Sequence, residues 1–181
     1  MVGPVRIRDA DDGDVPAISD LNNALIATTT VAWTEEPETL EHRRAWFATQ
    51  QARGHPVMVV EVEGTVVGFA SYDDFRDSKK WPGYRFTVEH SIHVAVSHAG
   101  RGIGRALLEA LVARAAASGA HTMIAAIDAE NTGSITFHEH LGFTEVGRLP
   151  QTGFKFGRWL DLVLLQRTLS HTAAPPSARP V

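Results

Sequence analysis

Residues 94–119 read VAVSHAGRGIGRALLEALVARAAASG, and this stretch decides the fold. It leaves a strand, passes three alternating glycines (Gly100, Gly102, Gly104) and enters the clearest helical pattern in the chain. Ile103, Leu107, Leu108, Leu111 and Val112 recur at helical spacing and predict its buried stripe, with Gly119 just past its end. Glycines let a backbone turn sharply and come close to a ligand. The first turn of a helix has unpaired N–H groups and the positive end of the helix dipole, and together these bind phosphate. Arg101 and Arg105 add charge at the rim. A plain strand-to-helix turn with no ligand is the competing reading. A Walker A loop would need Lys-Ser/Thr after its second glycine, and Arg105-Ala106 follow Gly104. The dinucleotide fingerprint also fails, because its sixth position falls on Arg105, or on Leu107 if counted from Gly102.

Outward from this stretch the apolar period alternates between two and about 3.6. Val5 and Ile7 predict a short strand. Asp14 is placed to cap a helix with Val15, Ile18, Leu21 and Leu25 on one stripe. Pro37 suits the start of a second helix that carries Leu40, Trp46 and Phe47 and ends before Gly54. Residues 57–62 and 65–72, joined by Glu63-Gly64, read as a β-hairpin. A loop is expected over 73–86, then strands at 86–96 and 122–127 and a helix over 131–141. Two closing strands follow, at 144–149 and 159–169. Hairpins combined with β-α-β crossovers predict an α+β, three-layer α/β chain built on a mixed sheet.

Composition narrows the function classes. The 181 residues contain no cysteine, which excludes disulfides, thiolate metal sites and a cysteine nucleophile. Lys+Arg 17 against Asp+Glu 21 argues against nucleic acid as a partner. No apolar run approaches the ~20 residues of a membrane span. The N-terminus MVGPVRIRDADDGD has no signal-peptide core, so a cytoplasmic protein is expected. One domain over 1–170 is expected, followed by a disordered tail, HTAAPPSARPV, at 171–181. His90 and His93 lie three apart on a strand and so face opposite ways. No histidine spacing matches a zinc pattern, so no metal is expected.

Val94-Ala95-Val96 with RGIGRALL at 101–108 resembles the acetyl-CoA motif of the GNAT superfamily of N-acetyltransferases. Asn131, Ser134 and Leu141-Gly142-Phe143 are similar to that superfamily's second half-motif. TVEHS at 87–91, AAI at 125–127, Ser134 through His138 and KFGRWLDL at 155–162 resemble its phosphinothricin and methionine sulfoximine acetyltransferase branch. TTTVAW at 28–33 and SYDDFR at 71–76 add to this, and the likeness covers residues 5–169.

The resemblance implies the GNAT acyl-CoA N-acyltransferase fold, a mixed and centrally splayed sheet flanked by helices. Acetyl-CoA would be the co-substrate. Its pantetheine would pair with Ile92, His93 and Val94, its pyrophosphate would sit on Gly100, Arg101, Gly102, Ile103, Gly104 and Arg105, and Asn131 would touch the pantetheine arm. Two departures stand out: Ala99 occupies a position usually held by Gln or Arg, and His93 replaces an aromatic residue usual in this branch. A homodimer is implied as well.

Acetylating an ammonium needs a base, and Glu89 is the candidate, against a purely structural ion pair. Backbone amides near Val94 can stabilise an oxyanion. His138 stands where many relatives have a tyrosine acid, which makes it a candidate proton donor to the thiolate; the competing reading is a packed helix histidine. Arg76 and Arg85 suit bidentate recognition of the acceptor's carboxylate, against simple surface solvation. Phe75, His90 and Ser91 complete the expected acceptor site. Without cysteine, direct attack of the amine on the thioester is the simplest route. The expected reaction acetylates the α-amine of a glutamate- or methionine-like amino acid such as phosphinothricin or methionine sulfoximine. The alternatives are another amine, such as a polyamine or a protein N-terminus, and a non-catalytic acyl-CoA-binding sensor.

Overall fold

A computed structural model of the chain describes residues 5–169. The strands are β1 (Val5–Asp9), β2 (Val57–Val62), β3 (Thr65–Asp74), β4 (Thr87–Val94), β5 (Thr122–Asp128), β6 (Thr144–Lys155) and β7 (Arg158–Thr168). The helices are α1 (Val15–Ile26), α2 (Leu40–Arg53), α3 (Ile103–Ala117) and α4 (Thr132–Glu139). The strand order is β1-β2-β3-β4-β5-β7-β6. The mixed sheet expected from the sequence is therefore present. Two compact units divide the elements, one of residues 5–72 with 91–111 and one of 73–90 with 112–169. The expected tail at 171–181 lies outside the described residues.

In the first unit, β1 and β2 pair antiparallel from Val5↔Val62 to Asp9↔Met58. β2 and β3 form the expected hairpin, with a register shift between Val60 and Glu61. Glu63 (φ 52) and Gly64 (φ 78) both turn left-handed, as the tightest hairpin turn requires. Val15, Ile18, Phe47, Val57, Val59 and Phe69 form the core of this unit. The buried face of α1 runs through Val15, Ile18, Ser19, Asn22 and Ile26, so its last apolar anchor is Ile26 rather than Leu25.

Two helix starts differ from the sequence reading. α2 begins at Leu40, capped by the Thr39 hydroxyl, which accepts from His42 N, so Pro37 lies before the helix. Asp14 stands at the N-cap of α1 but makes no cap bond. Its carboxylate accepts instead from both terminal nitrogens of Arg8 and from Asp11 N. A bidentate guanidinium outcompetes a single backbone amide.

In the second unit, β4 and β5 run parallel from Thr87↔Thr122 to Glu89↔Ile124, where the pairing ends. β5 and β7 pair antiparallel along seven positions, Thr122↔Thr168 to Asp128↔Leu162. β6 extends to Lys155, well past the expected end at 149, although Pro150 lies within it. β6 is the last strand of the order, and its register against β7 shifts between Leu149 and Gly153. A proline is tolerated at such an edge irregularity because no neighbouring strand needs its N–H. Buried Met123, Ala125, Val163, Leu165 and Phe143 fill this unit.

Candidate active site

The first unit carries the end of β4 and the glycine turn. Gly100 (φ 73) and Gly102 (φ 80) adopt a left-handed backbone that disfavours side chains. No other atom lies within 4 Å of where a Cβ would stand on either glycine, so the turn is bordered by open space. The first bond from Ala106 N to Gly102 O measures 3.1 Å. The amides of Ile103, Gly104 and Arg105 therefore precede the helical ladder, the position from which helix N-termini donate to phosphate. Arg101 is exposed, and Arg105 reaches Glu109 at 3.4 Å. An open turn edged by free amides and arginine fits a pyrophosphate.

Ile92, His93 and Val94 close β4 in this unit. Ala95 N donates to Val67 O at 2.8 Å, which ties the strand's exit to β3. The His93 ring stacks on Phe69 with centroids 4.7 Å apart. Burial, then the positive charge of Arg43, pushes its pKa down to about 4.

Glu89, the candidate base, lies in the second unit. It is half-buried, and burial pushes its carboxyl above the ordinary range, with the negative charge of Asp73 adding to the shift. A carboxylate raised in this way is a better proton acceptor at neutral pH. Sequence reasoning missed Asp73, because nothing local links it to Glu89.

Arg76 is exposed, with its guanidinium 5.7 Å from the Phe75 ring and 5.4 Å from the Tyr84 ring. Phe75 and Tyr84 lie 6.1 Å apart, so Arg76 rests beside a pair of aromatic rings. Tyr84 was not singled out from the sequence; it reaches Phe75 only because the 82–84 stretch turns as a short 3-10 helix. Arg85 donates to Pro82 O at 2.9 Å and covers the Phe86 ring. Ser91 is exposed, while His90 is buried beside His138 (5.1 Å) and Phe143 (5.5 Å).

Asn131 caps α4, its Oδ1 accepting from Ser134 N at 3.1 Å. His138, one helical turn beyond Ser134, is 3 % exposed. Its Nδ1 lies 2.7 Å from Ser134 O. A carbonyl only accepts, so Nδ1 carries the hydrogen and Nε2 presents a lone pair. Nε2 is buried without a hydrogen-bond partner. Burial lowers the pKa of His138, so the ring is held neutral.

Residues 18–143 match the Acetyltransferase (GNAT) family. The chain belongs to this family. As a GNAT acetyltransferase it is an acyltransferase that uses a coenzyme A thioester. It is 45% identical over 171 residues to the L-methionine sulfoximine/L-methionine sulfone acetyltransferase of Pseudomonas aeruginosa, covering 94% of this chain and 98% of that one. It is 37% identical over 165 residues to the phosphinothricin N-acetyltransferase of Alcaligenes faecalis, covering 91% and 82% of the two chains. A putative acetyltransferase from Salmonella typhimurium, solved with its cofactor acetyl-CoA, is 41% identical. It superposes with a TM-score of 0.91 over 96% of this GNAT chain and 99% of its own.

Proposed function

We propose that this protein transfers acetyl from acetyl-CoA to the α-amine of a small amino acid with an oxidised sulfur or phosphorus tail, such as methionine sulfone, methionine sulfoximine or phosphinothricin. The observation that carries this reading is Glu89. It is a half-buried carboxyl with a raised pKa, three residues ahead of Ile92 on β4. The named activities of the relatives support the acceptor class.

Acetyl-CoA supplies the activated thioester, its pyrophosphate on the amides and glycines of Gly100 to Arg105 and its pantetheine along Ile92 to Val94. Asn131 contacts the pantetheine arm. Arg76, beside the Phe75–Tyr84 pair, takes the acceptor's carboxylate, with Arg85, His90 and Ser91 completing that side. Glu89 removes a proton from the ammonium, directly or through a water. The nitrogen lone pair attacks the carbonyl carbon and a C–N bond forms. Backbone amides near Val94 steady the oxyanion, and the C–S bond then breaks. The leaving thiolate needs one proton. Nδ1–H of His138 is committed to Ser134 O, so Nε2 takes up the second proton that the attacking nitrogen sheds on becoming an amide and passes it to the thiolate.

Thiol release with a panel of amino acids tests the reading. Turnover with methionine sulfone, methionine sulfoximine or phosphinothricin is expected. Tight CoA binding with no turnover on any amine would leave a sensor instead. We further propose a cytoplasmic homodimer. The exposed Phe154–Trp159 pair on the β6–β7 hairpin, centroids 5.4 Å apart, supports self-association, and sedimentation velocity at micromolar concentration reads it. No helix among the described residues is long and apolar enough to cross a membrane.

A further inference from the structure

We propose that His90 is a positioning residue whose ring, laid against that of His138 inside the second unit, sets the direction in which His138 Nε2 points. This rests on the acetyl transfer proposed above and gives His90 its part there, through His138.

Side chains alternate along β4, with Val88 and His90 buried and Glu89 half-buried on the opposite face. His90 is 7 % exposed. The parallel ladder between β4 and β5 runs from Thr87↔Thr122 only as far as Glu89↔Ile124. His90 is thus the first residue of β4 past that ladder, and β5 is the strand that leads into α4. From this point side-chain packing takes over in holding α4 against β4. The His90 ring meets His138 of α4 there, with centroids 5.1 Å apart and planes tilted by 33°. TVEHS at 87–91 and Ser134 through His138, distant in the chain, come together at this contact.

His138 needs such a hold. Its Nδ1 lies 2.7 Å from Ser134 O and 3.4 Å from Ser134 Oγ, so one end of the ring is anchored. A hydrogen bond at one atom leaves the ring plane free to tilt about it, and Nε2, across the ring, swings with the plane. Phe137 and Phe143 meet the imidazole nearly at right angles, at 86° and 90°, with centroids 5.0 and 5.3 Å away. Of these three rings His90 alone, at 33°, lies nearer to parallel and can rest across the imidazole face. Phe143 also backs His90, 5.5 Å away, so the ring that holds His138 is itself held. Reacting groups need placement within about 0.5 Å and 10–20°, which is reached when the supporting side chains are locked by packing.

The direction of Nε2 decides whether it can serve. In the proposed transfer it accepts the second proton of the attacking nitrogen and returns it to the thiolate. Glu89, which takes the first proton, is the neighbour of His90 on the same strand. The ring contact therefore registers the two proton-handling groups against each other. A flat ring is what position 90 supplies; the nitrogens of His90 take no part in the proton path.

The test replaces His90 in the intact protein with Leu, which fills the space without a flat ring, and with Phe, which keeps one. With methionine sulfone and saturating acetyl-CoA, His90→Leu is expected to lose about tenfold in kcat, with both KM values changing less. His90→Phe is expected to recover most of that loss. In His138→Asn the Leu replacement is expected to cost nothing further, because there is no imidazole left to hold. A measurement that needs no turnover runs alongside, following the imidazole nitrogens by 15N NMR without acetyl-CoA. The His138 signals, identified by their loss in His138→Asn, are expected to show one tautomer in the wild type and in His90→Phe, and to move toward an averaged position in His90→Leu. Equal kcat in the Leu and Phe variants, a loss of the same size in the His138→Asn background, or His138 signals that His90→Leu leaves in place overturns the proposal. Where His90→Leu does not fold, His90→Phe decides: His138 signals in their wild-type positions support the proposal and averaged signals overturn it. No turnover of any amine by the wild type defeats the acetyltransfer reading, while the NMR arm still decides the ring contact.

Discussion

A Cβ built on Gly68 would stand 2.7 Å from the carbonyl oxygen of His93. It would also lie 3.0 Å from Val60 Cγ1 and 3.3 Å from Val94 Cα. Gly68 thus sets how closely β3 approaches the His93–Val94 backbone. That backbone is the run proposed above to pair with the pantetheine. The oxygen belongs to the main chain and cannot swing aside as a flexible side chain would.

Gly68→Ala is accordingly expected to displace the end of β4. Overpacking of this kind costs about 1–3 kcal/mol. The KM for acetyl-CoA should rise severalfold while the acceptor KM changes less. Steady-state kinetics together with a urea melt read both effects. A variant with wild-type stability and wild-type KM for acetyl-CoA would contradict the account.

Replacing Glu89 with Gln separates catalysis from stability. Loss of a general base typically lowers the rate by about 10²–10⁴-fold. The folded pKa of Glu89 is raised, by burial first and Asp73 second. The folded state therefore binds more protons than the unfolded state between the two pKa values. That contribution to stability is full below the unfolded pKa and is lost as pH rises through the folded one. At pH 7 the charged carboxylate is thus a burden on the fold, and Glu89→Gln should be at least as stable as wild type while nearly inactive. A marked loss of Tm at pH 7 would argue for a structural ion pair instead.

Much of this arrangement was legible in the sequence because it is local. The turn at Gly100 to Gly104, the α3 stripe and the hairpin at Glu63-Gly64 each depend on neighbours a few residues apart. Asp14 was misread because Arg8 and Glu61, 53 residues apart, meet beside it on paired strands. The Asp73 charge on Glu89, the Gly68 contact with His93 and the coupling of Arg43 to His93 all join distant segments. No periodicity or motif encodes these meetings; they exist only once β3, β4 and α2 are packed.

The Arg8 cluster makes a prediction about acid stability. Arg8 bonds both oxygens of Asp14, at 2.6 and 2.8 Å, and also holds Glu61. The hydrogen bonds from Arg8 pull the Asp14 carboxyl below the usual range. Its contribution to stability is present above the unfolded value near 3.8 and is lost as pH falls through the folded value. Asp14→Asn is expected to cost about 1–3 kcal/mol at pH 7, with the difference shrinking in strong acid. Paired urea melts at pH 7 and pH 3 measure it. A constant difference across that range would show that the charge is not what matters.

His138 gives a sharper test of the proton's route. Asparagine can keep an N–H on Ser134 O while removing the Nε2 lone pair, so His138→Asn should fold. If His138 relays a proton to the thiolate, kcat should fall by about 10²-fold or more with both KM values little changed. The linkage has its own signature. Burial lowers the folded pKa of His138 below 6.5, so the neutral ring contributes stability above the unfolded value and loses it as pH falls through the folded one. Wild type should therefore lose Tm on acidification below about pH 6.5 more steeply than His138→Asn. Full kcat in the variant would take His138 out of the proton path and leave it as the packed partner of His90 and Phe143.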